Sequence, residues 1–174
     1  MQDQIPRPPI AFIPGRNFKL PFVVGWLILF VSTASAAQDY TARLDVVLEK
    51  IKTHLSEQKP DYKHRSIEPI QGSKNVSVNN WESDGQIVRV SIIAYGSANE
   101  AAQSMRRFSS DIRTFDRFPD LGDGGYSWGM GGSNVCFRKG DLTVWISIST
   151  SNLEQAVRTV QEFAKLIAAA IPAV

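Results

Sequence analysis

The sequence predicts an α+β fold: an N-terminal helix followed by two ββα units, whose strands form a four-stranded antiparallel sheet with the helices on one face. Three observations carry this reading. Leu44, Val47, Leu48, Ile51 and Leu55 recur at the i, i+3, i+4 spacing of a single helical face. Two stretches, residues 75–94 and 134–149, alternate apolar and polar residues around a Gly/Asp corner, as strands of a half-buried hairpin do. Each stretch then runs through a Ser-x-x-Glu signature into an amphipathic helix. Hydrophobic residues make up 43% of the 174-residue chain and charged residues 21%, which is a globular composition rather than a disordered one.

Residues 1–36 read as a secretory signal peptide. Arg7, Arg16 and Lys19 stand against Asp3, a twelve-residue apolar run spans residues 20–31, and Ala34-Ser35-Ala36 supplies the small-x-small cleavage pattern. The alternative is an uncleaved anchor, but a spanning helix needs about 20 apolar residues. The formal net charge of +2 resides entirely in this segment, so residues 37–174 are electroneutral. A neutral domain lacks the long-range field of a nucleic-acid binder, and any membrane contact is expected only through an uncleaved signal.

Residues 37–174 are expected to form one α+β domain. Its first helix is predicted at about 40–57, stopped before Pro60. The segment 59–74 is polar and turn-rich. The first ββα unit covers 75–113, with its corner at Asp84-Gly85 and a capping box formed by Ser97 and Glu100. A Gly-rich loop is assigned to 114–133. The second unit covers 134–171, with its corner at Gly140-Asp141 and a box formed by Ser151 and Glu154. Ala101, Met105, Phe108 and Ile112 recur as Ala156, Val160, Phe163 and Ile167 at a constant offset of 55, whereas the two boxes are offset by 54. An internal duplication and plain convergence of amphipathic units both account for this. Val88, Val90, Ile92 and Ala94, with Leu142, Val144, Ile146 and Ile148, are predicted to face the helices.

No catalytic constellation emerges. Gly125-Tyr126-Ser127-Trp128-Gly129 matches G-x-S-x-G, but that motif needs a strand turning into a helix and a histidine after the serine. Here glycines follow, and His54 and His64 both precede it. Asp116, Asp120 and Asp123 lack EF-hand spacing. The two histidines are ten residues apart with no metal-ligand pattern, so no metal or other cofactor is expected. The single cysteine, Cys136, alternates with Val135 and Phe137 and reads as a small semi-buried residue, or as a partner for a disulfide between chains. Asn75-Val76-Ser77 is an N-glycosylation sequon, meaningful only in a glycosylating host.

Binding is the function class left. Trp81, Arg89, Arg138 and Trp145 are expected on the helix-free face, with Tyr126 and Trp128 from the Gly-rich loop beside them. Aromatic rings and guanidinium groups together stack on sugars, flat rings or a partner's side chains. The competing expectation is that Trp81 and Trp145 pack beneath the first helix.

Leu121-Gly122-Asp123-Gly124-Gly125-Tyr126, followed by Phe137-Arg138-Lys139-Gly140-Asp141 entering an alternating strand, resembles small exported bacterial domains of uncharacterised function. The resemblance implies an envelope or secreted α+β domain and brings no assigned catalytic residues. The expected function is an exported, non-enzymatic domain that binds a partner protein or small ligand. The alternatives are a hydrolase using the 114–133 loop and a self-associating envelope protein.

Overall fold

A computed structural model describes residues 40–68, 73–112 and 115–172. The signal-peptide assignment and Ile70, one anchor of the polar segment, lie outside these residues. The elements follow in the order α1 (Tyr40–Gln58), β1 (Lys63–Ile67), β2 (Val76–Ser83), β3 (Gln86–Ala94), α2 (Ala98–Asp111), β4 (Asp116–Phe118), β5 (Gly125–Trp128), a 3₁₀ turn (Met130–Gly132), β6 (Asn134–Lys139), β7 (Leu142–Ser149) and α3 (Leu153–Ala170). The α+β class stands, but the expected four-stranded sheet is corrected: seven strands form one antiparallel sheet in the order β1-β2-β3-β7-β6-β5-β4.

The three additional strands come from segments read as connectors. β1, with the sequence KHRSI, is an edge strand exposed at Lys63, Arg65 and Ser66, so it needs little apolar content. β4 and β5 lie within the assigned loop 114–133 and are three and four residues long. Segments that short leave no periodicity to detect, and their pairing comes from the β6 edge beside them.

The two central hairpins form as their corners require. Gly85 and Gly140 take φ values of 72° and 61° in two-residue turns, pairing Ser83 with Gln86 and Lys139 with Leu142. Their inward residues are the expected ones: Val88, Val90, Ile92, Ala94, Leu142, Val144 and Ile146 are all at most 1% exposed. They pack against Leu44, Val47, Ile51 and Leu55 of α1 and against Val160, Phe163, Ala164 and Ile167 of α3. Each such side chain taken from water stabilises the fold by about 1.5–3 kcal/mol.

The placement of both unit helices on one face is also corrected. α3 lies over β6 and β7 on the face of Val144 and Ile146, next to α1. α2 crosses the same two strands on the opposite face. There Met105 meets Cys136 at 3.1 Å between sulfurs, and the Phe108 ring lies 4.0 Å from that of Trp145. Cys136 and Trp145 are register partners whose neighbours Val135, Phe137, Val144 and Ile146 point the other way. Nor does the first helix cover the polar face; α1 stays with α3.

The caps sharpen the correspondence between the units. Ser97 accepts from the Glu100 amide at 3.2 Å, while the Glu100 carboxylate accepts from the Gly96 amide at 3.0 Å. The second box is corrected: Asn152, not Ser151, caps α3, accepting from the Gln155 amide at 3.1 Å. The caps therefore share the offset of the helices behind them.

Candidate functional site on the second sheet face

The strand register sorts the six expected binding residues. Trp81 is excluded from the site. It pairs with Val88 across the β2–β3 turn, so it shares the face of Val88; it is 2% exposed and belongs to the main core. Its ring lies 5.0 Å from that of His64, whose Nε2 is 2.9 Å from Asn79 Oδ1. His64 is thus half-buried against the core edge rather than a free surface group. The signal that finds Trp81 is in the sequence: a two-residue turn at Asp84-Gly85 pairs the two positions by counting alone.

The other five lie on the second face, in two groups. Trp128, Asn134, Ser147, Arg89 and Asn80 form one register row across β5, β6, β7, β3 and β2. Trp145 and Ser91 stand in the next row. Trp128 and Trp145 meet edge to face at 5.8 Å, and Phe108 of α2 closes the cluster at 4.8 Å and 4.0 Å from them. The Trp145 indole N–H donates to Thr143 Oγ1 at 3.3 Å, which fixes the ring. Beside the two indoles, Ser91, Asn134 and Ser147 line a depression of about 190 Å³. Arg89 is exposed, and its Nε donates to Asn80 Oδ1 at 3.3 Å. Phe108, which belongs to the apolar repeat of the first unit helix, forms one wall of the aromatic cluster.

Tyr126 and Arg138 lie elsewhere on this face, lining a separate groove beside α2. Arg138 belongs to a corner that explains the two motifs quoted above. The Asp123 amide donates to the Arg138 carbonyl at 2.7 Å, and the Arg138 amide donates to the Gly124 carbonyl at 3.1 Å. Asp123 Oδ2 accepts from Arg138 Nη1 at 2.9 Å and from the Gly140 amide at 2.7 Å. A Cβ on Gly122 would stand 2.3 Å from the Arg138 carbonyl oxygen, and one on Gly125 2.8 Å from that of Cys136. Those glycines are required by close backbone approach. From the neighbouring turn, Asp141 forms a two-pronged ion pair with Arg43 of α1.

Of the residues weighed for catalysis, Ser127 is 2% exposed and sits on the core side of the sheet, in a strand rather than at a strand-to-helix turn. Among the described residues no group of three or more His, Cys, Asp or Glu side chains converges to hold a metal ion. Cys136 is fully buried beneath α2, and burial pushes its thiol well above the ordinary range, so it is inert as a nucleophile. It cannot pair with another chain unless α2 moves. Tyr62 is likewise shifted upward by burial, against a weaker opposing hydrogen bond with Thr159. Its hydroxyl donates to Gln86 Oε1 at 2.8 Å, which ties it to structure. No described helix is long and apolar enough to cross a membrane.

No protein-family model, curated protein or solved structure matches this chain.

Proposed function

We propose that this chain is an exported, non-enzymatic binding domain that holds a partner protein or small ligand against the second face of its sheet. The observation that carries the reading is the row in which Trp128 and Arg89 share one register line, with Trp145 packed beside it. Two indole edges line one shallow depression, and the Arg89 guanidinium stands in the row beside it, which together offer stacking area with a charged handle. Among the described residues Arg89 is held by one side-chain hydrogen bond, to Asn80, so recruiting it to a ligand costs little. The segment 1–36 and the likeness to small exported bacterial domains support export. The burial of Ser127 and Cys136 weighs against a serine hydrolase and against self-association through a disulfide.

The test is capture from the extracellular or envelope fraction with the tagged full chain, quantified against Arg89→Ala and Trp128→Ala. Partners enriched by the wild type should fall away with both variants while circular dichroism stays unchanged. Identical capture by all three proteins rejects the surface. N-terminal sequencing of the recovered chain should begin after Ala36 or Ala37; a chain beginning at Met1 rejects the cleaved signal.

A further inference from the structure

We propose that the groove beside α2 binds a phosphorylated small molecule through Arg106, Arg117 and Arg138. The three arginines come from three elements. Arg106 follows Met105, the residue that seats α2 on Cys136. Arg117 is the register partner of Tyr126, which in turn pairs with Cys136. Arg138 lies two residues along β6 from Cys136, on the same face. All three line one groove of about 420 Å³, with Tyr126, Asp123 and Gly124 among its other walls.

The charge balance in this groove points to an anion. Among the described residues that line it, the one carboxylate is Asp123, which is already engaged by Arg138 and by the Gly140 amide. Arg138 also donates to the Gly140 carbonyl at 3.0 Å, so its guanidinium is held in place before any ligand arrives. Arg106 and Arg117 are exposed and have no ion-pair partner among the described residues. Two uncompensated guanidiniums therefore face a concave surface on a domain that, beyond residue 36, carries no net charge. The local excess is not a sample of a basic surface, and a cleft lined by one sign of charge concentrates counter-ions.

The chemistry favours phosphate. All the cations here are guanidiniums, whose planar forks match phosphate oxygens two at a time. The nearby Lys139 is turned away and donates to the Ala168 carbonyl at 2.5 Å. A doubly charged group neutralises both free arginines, and the volume admits more than one phosphate, as in a diphosphate or a phosphorylated sugar. The Tyr126 ring, steadied edge to face against Phe115 at 4.9 Å, offers an apolar wall for the remainder.

Calorimetric titration of the purified full chain with sodium pyrophosphate at low ionic strength tests this. Saturable one-to-one binding is expected, weakening as salt is raised. Arg106→Ala and Arg117→Ala should each weaken it about tenfold or more, because each removes a charge-assisted contact. Arg65→Ala, an exposed guanidinium on β1 at the opposite edge of the sheet, should bind pyrophosphate like the wild type. Absence of saturable binding, full binding by both arginine variants, or citrate binding as tightly as pyrophosphate each overturns the assignment. Because both arginines are exposed, their variants should fold, and circular dichroism verifies this.

Discussion

The two faces of this sheet use the same strands but are finished differently. One carries α1 and α3 side by side over a continuous apolar layer in which Val88, Val90, Phe137 and Val144 are fully buried. The other carries α2 over β6 and β7, packed through sulfur and aromatic contacts at Met105, Cys136, Phe108 and Trp145, while Arg65 and Arg89 on β1 and β3 stay exposed. The first face derives its stability from close-packed area. The second leaves guanidiniums and ring edges accessible around a small apolar patch, the composition of a surface that meets something. Division of labour between the faces, rather than any single motif, is the basis for reading this protein as a binding domain.

The sharpest way to break that comparison is to truncate a large side chain on each face. Phe137→Ala should cost about 3–5 kcal/mol in urea unfolding, because it empties a fully enclosed site between β6 and the α1–α3 layer. Trp145→Ala, on the half-buried cluster, should cost about 2 kcal/mol and speed hydrogen exchange in α2 ahead of the other helices. Equal losses, with exchange changing everywhere together, would mean that the faces form one cooperative core.

Cys136 sharpens the comparison at the boundary under α2. Its thiol should resist thiol-specific reagents in the native chain and react once unfolded. The sign of its pH effect follows from burial. A thiol raised above its unfolded value of 9.0 contributes stability that is fully present below that value and is lost as pH rises. Stability should therefore decline in the alkaline range, and Cys136→Ala should make the decline shallower. Prompt labelling of the native chain would show that α2 opens readily.

The smallest expected effect on folding belongs to Arg89. Arg89→Ala should shift stability by no more than about 0.5 kcal/mol. If Arg89 instead supports the fold, unfolding titration will show a larger loss, and the second face will be structural there too.

Much of the molecule was legible in its residues. The α1 stripe, the two Gly/Asp hairpins, their eight inward side chains and the cap of α2 all follow from local rules: a period of 3.6, a period of 2, a positive φ and a hydroxyl at an N-cap. The site was legible in part. Alternation placed Arg89 and Trp145 together, and a count through the Asp84-Gly85 turn would have removed Trp81. β4 and β5 were not legible, since strands of three and four residues take their order from a neighbouring edge.

By itself, then, the sequence determined which residues share a face, because that is set by backbone geometry within a few residues. Only the tertiary structure decided that β3 would lie against β7, that α2 and α3 would take opposite faces, and that Arg106, Arg117 and Arg138 would meet in one groove. Those outcomes rest on contacts between segments far apart in the chain. An amphipathic helix records that it must cover an apolar surface, but a sheet has two, and the choice belongs to the whole core.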